Sequence, residues 1–188
     1  RSIPNMIVSA PMDEIELRNL MYTAQLAEND QPFSIRYPRG CGIKPNWRKP
    51  FEKVEIGKGR KLADGKDIAL LTIGKTGVFA NRAVKSLENK DVSAAHYDLR
   101  FVKPLDTKLL TEVFENFKTI ITIEDGTIQG GFGSAILEFM VEHNYSPKIK
   151  ILGIPDKFIE HGTPEDLYKE CGIDTKGIVK AVLDLLGK

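Results

Sequence analysis

Ile68-Ala69-Leu70-Leu71-Thr72-Ile73 decides the fold. Its apolar residues run on without alternation, as in a strand covered on both faces. Working outward toward the C-terminus, a helix follows with Ala80, Ala83, Val84 and Leu87 on one face, then a strand over Val92 to Ala95. The next helix, after Asp106, groups Leu110, Val113, Phe114 and Phe117. Thr119 to Ile123 is almost wholly β-branched, and the helix beyond it aligns Ile136, Phe139, Met140 and His143. Ile149 to Ile154 gives a further strand, and Val179, Val182, Leu183 and Leu186 mark a last amphipathic helix. Near-continuous apolar strands alternating with helices predict an α/β domain with a doubly wound, mostly parallel sheet covered on both faces. Lys53 to Gly57 instead alternates polar and apolar residues, which predicts one antiparallel edge strand near Val54. The domain proper is expected over residues 62–188, with linker and edge strand over 41–61.

Toward the N-terminus, Met6 to Ala10 is a short apolar strand closed by Pro11. Asp13 can cap a helix whose Leu17, Leu20, Met21 and Ala24 share a face. Ser34 to Tyr37 reads as a strand that Pro38 ends. Residues 1–40 therefore form a β-α-β stub, too small to bury both faces of two strands, which must pack on something else. Its expected partner is the upstream part of its own domain, because the opening Arg1-Ser2-Ile3-Pro4 looks like a cut inside a longer protein. Cys41 to Pro50 mixes Gly, Pro, Asn, Trp and basic residues without periodicity and reads as a linker, anchored by Trp47.

Composition narrows the function. The 188 residues are 41% hydrophobic and carry 27 basic against 26 acidic side chains, with no basic block. That balance disfavours broad binding to nucleic acid or membrane surfaces. No apolar run reaches membrane-spanning length. Cys41 and Cys171 belong to no metal or redox motif, which favours a reducing cytoplasm.

Three places could carry chemistry. In Arg36-Tyr37-Pro38-Arg39-Gly40, the second arginine stands on a stiff corner at the carboxyl end of a strand. There a guanidinium fork suits a phosphate or carboxylate, although surface ion pairing is the commoner role of both Arg36 and Arg39. Glu124 to Ser134 is a glycine-rich turn between a strand and a helix. It either opens backbone amides to an anion or is simply a tight turn with its acidic residues favoured by the helix dipole. It lacks the third glycine of a dinucleotide fingerprint and the Lys of a phosphate-binding P-loop. His96, His143 and His161 lie on different elements, so a metal site is not expected, and His143 reads as a packing residue. Thr163-Pro164 starts a helix, with Asp166 as the reciprocal capping partner.

Taken together, several stretches resemble the 1-deoxy-D-xylulose-5-phosphate synthases, thiamine-diphosphate enzymes of the transketolase family. They are Ile3 to Pro11, Arg36 to Gly40, Leu99-Arg100-Phe101-Val102-Lys103-Pro104-Leu105-Asp106, Glu124 to Ser134, and Ile154 to Thr163. The resemblance implies that 1–40 ends a pyrimidine-binding domain and that 62–188 is a transketolase C-terminal domain. It implies a parent enzyme, a cytoplasmic homodimer, that condenses pyruvate with glyceraldehyde 3-phosphate, loses CO2 and feeds isoprenoid, thiamine and pyridoxal synthesis. It also implies thiamine diphosphate and Mg2+ in that parent. The metal and diphosphate motif, the activating Glu and the active-site histidines are absent here, so this portion is expected to be inactive and without cofactor. One site residue carries over: Arg39, matching the family's contact to the phosphate of glyceraldehyde 3-phosphate. A transketolase, a 2-oxoacid dehydrogenase β subunit or a stand-alone interaction module are the alternatives.

Overall fold

The computed structural model describes residues 1–44 and 46–188; Pro45, within the expected linker, lies outside them. The elements run β1 (Ile7–Ser9), α1 (Glu14–Ala24), β2 (Phe33–Ile35), β3 (Arg60–Ala63), β4 (Ile68–Thr72), α2 (Thr76–Glu88), β5 (Ala94–Asp98) and β6 (Phe101–Lys103). Then follow α3 (Thr107–Asn116), β7 (Thr119–Thr127), α4 (Phe132–Glu142), β8 (Lys148–Ile154), α5 (Pro164–Glu170) and α6 (Thr175–Leu186).

The larger sheet has the order β3-β5-β4-β7-β8, and all its pairings except β3 with β5 are parallel. Every residue of β4 is buried, as its unbroken apolar run demands. One face carries α3 and α4, with Leu110, Val113, Phe114, Ile136 and Phe139 in a core under Ala69 and Leu71. The other carries α2 and α6, where Ala80, Ala83, Leu87, Ile178 and Val182 pack on Ile68 and Leu70. Two caps, Asp13 and Thr163, lie where the sequence placed them, and Asp106 caps the helix expected after it. Asp13 accepts from Glu16 N, Asp106 from Leu109 N and Thr163 from Asp166 N, each satisfying an amide that a helix start leaves free.

The antiparallel edge strand exists, but it is β3 and not Lys53 to Gly57. Val54 N donates to Thr23 Oγ1 and Glu52 N to Asn19 Oδ1, so side chains of α1 take the backbone donors a ladder would need. Val54 itself is buried with Ile7, Leu20 and Phe101 in a small third core. Its alternation reflects that docking.

The stub is a parallel β1–β2 pair with α1 as crossover. It docks on the domain in three ways. β6, a strand the sequence did not announce, pairs antiparallel with β1 and makes a three-stranded sheet β2-β1-β6. Arg36 donates to Asp125 Oδ1 at 2.5 Å and to Asp125 O at 2.6 Å, tying the end of β2 to β7. The third tie is a buried charge cluster. Glu16 Oε1 lies 3.0 Å from Arg60 Nη2 and 2.7 Å from Arg100 Nε, while Arg60 Nη2 also reaches Asp98 Oδ2 at 2.9 Å. Arg100 Nε meets the carboxylate as an ion contact without hydrogen-bond alignment. Burial, then the charge of Glu16, pushes the Asp98 carboxyl up to about 7, against the pull of Arg60. No helix among the described residues is long and apolar enough to cross a membrane.

His96 is fully buried on β5. Asn81 Oδ1 stands 2.7 Å from its Nδ1 and Thr72 Oγ1 stands 2.8 Å from its Nε2. A neutral ring that donates from Nδ1 and accepts at Nε2 satisfies both. Burial, helped by the Arg60 charge, lowers its pKa to about 4.

Two outcomes follow for unfolding by urea. Arg60→Ala leaves the carboxylates of Glu16 and Asp98 buried with one cation fewer. The expected loss is near the lower end of about 3–5 kcal/mol, because the Arg60 side chain is 32% exposed. His96 stays neutral when folded but protonates near pH 6.5 when unfolded. Its contribution is therefore whole above pH 6.5 and is lost as pH falls toward 4. The stability advantage of wild type over His96→Gln should shrink by roughly 2 kcal/mol between pH 7.5 and 5. Asp98 titrates in both proteins and drops out of that difference. A constant difference would show that His96 protonates as readily in the folded chain as in the unfolded one.

Candidate functional site

In an open parallel sheet, ligands bind at the carboxyl ends of the strands, where the strand order reverses. In the larger sheet that point lies between β4 and β7. The stub fills it. A Cβ on Gly74, just past β4, would stand 3.3 Å from Ala10 Cβ and 3.9 Å from Asp125 Oδ1, and Arg36 closes over Asp125. Arg36 is thus the ion-pair partner that its surroundings in sequence allowed, and it is not free for a ligand.

Beside this plug, an open cleft of about 320 Å³ collects the carboxyl ends of three strands from the two sheets. Pro11 and Met12 come from β1, Tyr37 to Gly40 from β2, and Lys75 from β4. Arg39 is exposed at its wall and has no ion pair among the described residues. Gly40 turns the chain at φ +138°, a conformation side chains rarely adopt. The strap beyond it folds over the start of α1, where Lys44 N donates to Glu14 Oε1 at 2.7 Å and Lys44 Nζ lies 3.7 Å from Asp13 Oδ2. The floor of the cleft is the first turn of α1, closed by Asp13 accepting from Glu16 N and by Glu16 Oε2 accepting from Met12 N at 2.7 Å. Trp47 is exposed on the strap and not buried as an anchor; the Arg18 guanidinium lies 5.2 Å from its ring and donates to its backbone carbonyl.

The glycine-rich turn holds an anion already, and that anion is its own. Glu124, almost fully buried, accepts from Phe132 N at 2.9 Å and from Gly133 N at 2.8 Å, at the N-terminus of α4. Burial raises its pKa, and the two amides pull it back. A Cβ on Gly131 would collide with this carboxylate, so the glycine there makes room for Glu124 and not for a ligand. The tight-turn reading holds, with a stronger reason than the dipole alone.

The histidines remain apart: His96 in the core, His143 at the end of α4 stacked on Phe139 at 4.1 Å, and His161 exposed before α5. No group of three His, Cys, Asp or Glu side chains suited to a metal occurs among the described residues. Lys75 had no motif around it. Its one signal was position, immediately after the strand Ile68 to Ile73 and Gly74.

The transketolase C-terminal domain family matches residues 57–178. Over 187 residues the chain is 56% identical to a 1-deoxy-D-xylulose-5-phosphate synthase of Cytophaga hutchinsonii, covering 100% of this chain and 29% of that protein. It is 55% identical to the enzyme of the same name from Bacteroides thetaiotaomicron, over 97% of this chain and 28% of that one. The chain thus spans less than a third of the length of these relatives. A solved split-gene transketolase, described as an inactive beta4 tetramer, superposes with TM-score 0.84 at 31% identity over 100% of this chain and 60% of its own. Transketolase of Campylobacter jejuni, at TM-score 0.67 and 17% identity over 98% of this chain and 27% of its own, shares the fold. With a doubly wound sheet, one antiparallel edge and a family match over most of its length, the chain belongs to the transketolase C-terminal domain family.

Proposed function

We propose that the chain is the C-terminal part of a 1-deoxy-D-xylulose-5-phosphate synthase, which joins pyruvate to glyceraldehyde 3-phosphate with loss of CO2. Within it, Arg39 binds the phosphate of glyceraldehyde 3-phosphate. The observation that carries this is the cleft: an arginine without an ion pair, on a Pro–Gly corner, where the carboxyl ends of parallel strands converge. Identity above 50% to synthases along the whole chain supports the same reading. Residues 1–40 then close the pyrimidine-binding domain, 41–61 connect, and 62–188 form the C-terminal domain, with β3 straddling the last boundary. The enzyme would be a cytoplasmic homodimer.

Thiamine diphosphate and Mg2+ are the cofactors of such an enzyme, and the residues of this chain do not fit them. Among the described residues no carboxylate cluster suits the metal, and Glu124 fills the glycine-lined start of α4. The reading puts both in residues beyond these 188. What this chain contributes is acceptor binding: the guanidinium fork meets two phosphate oxygens and so fixes the aldehyde end of the acceptor in one direction.

The test is steady-state kinetics on full-length protein. A charge-assisted bond to phosphate is worth about 1.5–3 kcal/mol, so Arg39→Ala should lower kcat/KM for glyceraldehyde 3-phosphate by roughly ten- to 150-fold. Use of pyruvate should change much less, and Arg39→Lys should restore only part, since an ammonium cannot reproduce the fork. Equal losses for both substrates would remove Arg39 from phosphate binding.

A further inference from the structure

We propose that Lys75 is a second binding residue for the anionic group of the acceptor, lining the same cleft as Arg39. The inference rests on the phosphate reading of Arg39 and extends it to a residue from the other sheet.

Three observations carry it. Lys75 is the first side chain past Gly74 at the carboxyl end of β4, the strand beside the reversal of strand order. That is where a doubly wound domain presents groups to a ligand. Arg39 stands at the equivalent end of β2 in the smaller sheet, and the two residues line one cavity. Two sheets with different cores thus aim their carboxyl edges at a common space. The second observation is charge. Two carboxylates also line this cleft, Asp13 and Glu14, and both are engaged elsewhere. Asp13 accepts from Glu16 N and faces Lys44 Nζ, and Glu14 accepts from Lys44 N. Neither lies within ion-pair distance of Lys75 or Arg39, so the two cations keep their charge for a ligand.

The third is that Lys75 has no structural duty in its place. Its side chain caps nothing at the start of α2, where Thr76 Oγ1 instead donates to Ile73 O and Ile123 O. The ammonium rests 5.6 Å from the Tyr168 ring, a contact about as weak as exposed cation–π pairs are. An ammonium on a flexible stem can leave such a ring and meet a phosphate oxygen that the planar fork of Arg39 leaves uncovered. A dianionic phosphate has three terminal oxygens, and one guanidinium takes two of them.

The experiment compares D-glyceraldehyde 3-phosphate with D-glyceraldehyde as acceptor, in full-length holoenzyme, for wild type, Lys75→Gln, Lys75→Arg and Arg39→Ala. Lys75→Gln should cost about five- to thirtyfold in kcat/KM for the phosphorylated acceptor, less than Arg39→Ala because an ammonium is a single-pronged point charge. Use of D-glyceraldehyde should stay within about twofold, Lys75→Arg should retain most activity, and the loss should shrink as salt is raised. Should Lys75→Gln leave both acceptors unchanged, or weaken both equally, while Arg39→Ala still discriminates between them, the role of Lys75 is refuted and that of Arg39 stands. If Arg39→Ala does not discriminate either, the phosphate reading of the cleft falls and Lys75 falls with it.

Discussion

The carboxylate of Glu16 holds together more of this structure than any other single group. One of its oxygens closes the first turn of α1 by accepting from Met12 N. The other sits between Arg60 of β3 and Arg100 of the turn after β5. A side chain in the smaller unit is thereby the counter-ion of two in the larger, almost without access to water. Buried charges are costly to desolvate and costly to leave alone, so the arrangement tolerates little sliding. Arg100 itself is held at φ +56°, with Asp98 Oδ1 accepting from its amide. The cleft floor inherits this rigidity, because the turn that Glu16 closes is the one on which Asp13 and Glu14 stand.

The other ties work by different physics. The β1–β6 pairing is a short ladder of backbone bonds, and the Arg36–Asp125 contact is a partly exposed ion pair. Val54 adds apolar burial against Leu20 and Phe101. Together they seat the stub in the crevice where many parallel α/β domains receive a small molecule. In this chain that crevice receives protein, and the open space is displaced to one side, between the two sheets. The larger domain thus borders that open space only at its margin.

The layers of the fold were legible because burial on both faces leaves an unbroken apolar run, as in Ile68 to Ile73 and Thr119 to Ile123. Helix starts were legible through Asp13, Asp106 and Thr163, whose side chains act on their own neighbours in sequence. The edge strand was misplaced because alternation at Lys53 to Gly57 looks the same whether its donors go to a strand or to Asn19 and Thr23. β6 was missed since three residues between a turn and Pro104 carry no period at all. At the cleft, the proline and glycine around Arg39 marked a stiff corner, but they left surface ion pairing the commoner reading, and only the family resemblance singled that arginine out. Lys75 had no such mark, and neither did the cluster of Glu16, Arg60, Asp98 and Arg100, whose members are up to 84 residues apart and meet only through tertiary packing.

Glu124 bears on the search for inhibitors. A glycine-rich turn at a helix start invites phosphate-mimicking compounds, and a sequence scan would rank this one among the first places to look. Any such compound would have to evict a covalently tethered competitor whose local concentration no dose can match. The open space on this chain is the neighbouring cleft, where Arg39 and Lys75 come from two separate sheets. A molecule that bridged Arg39 and the β4 side would gain its selectivity from their relative placement, which a lone phosphate pocket does not provide.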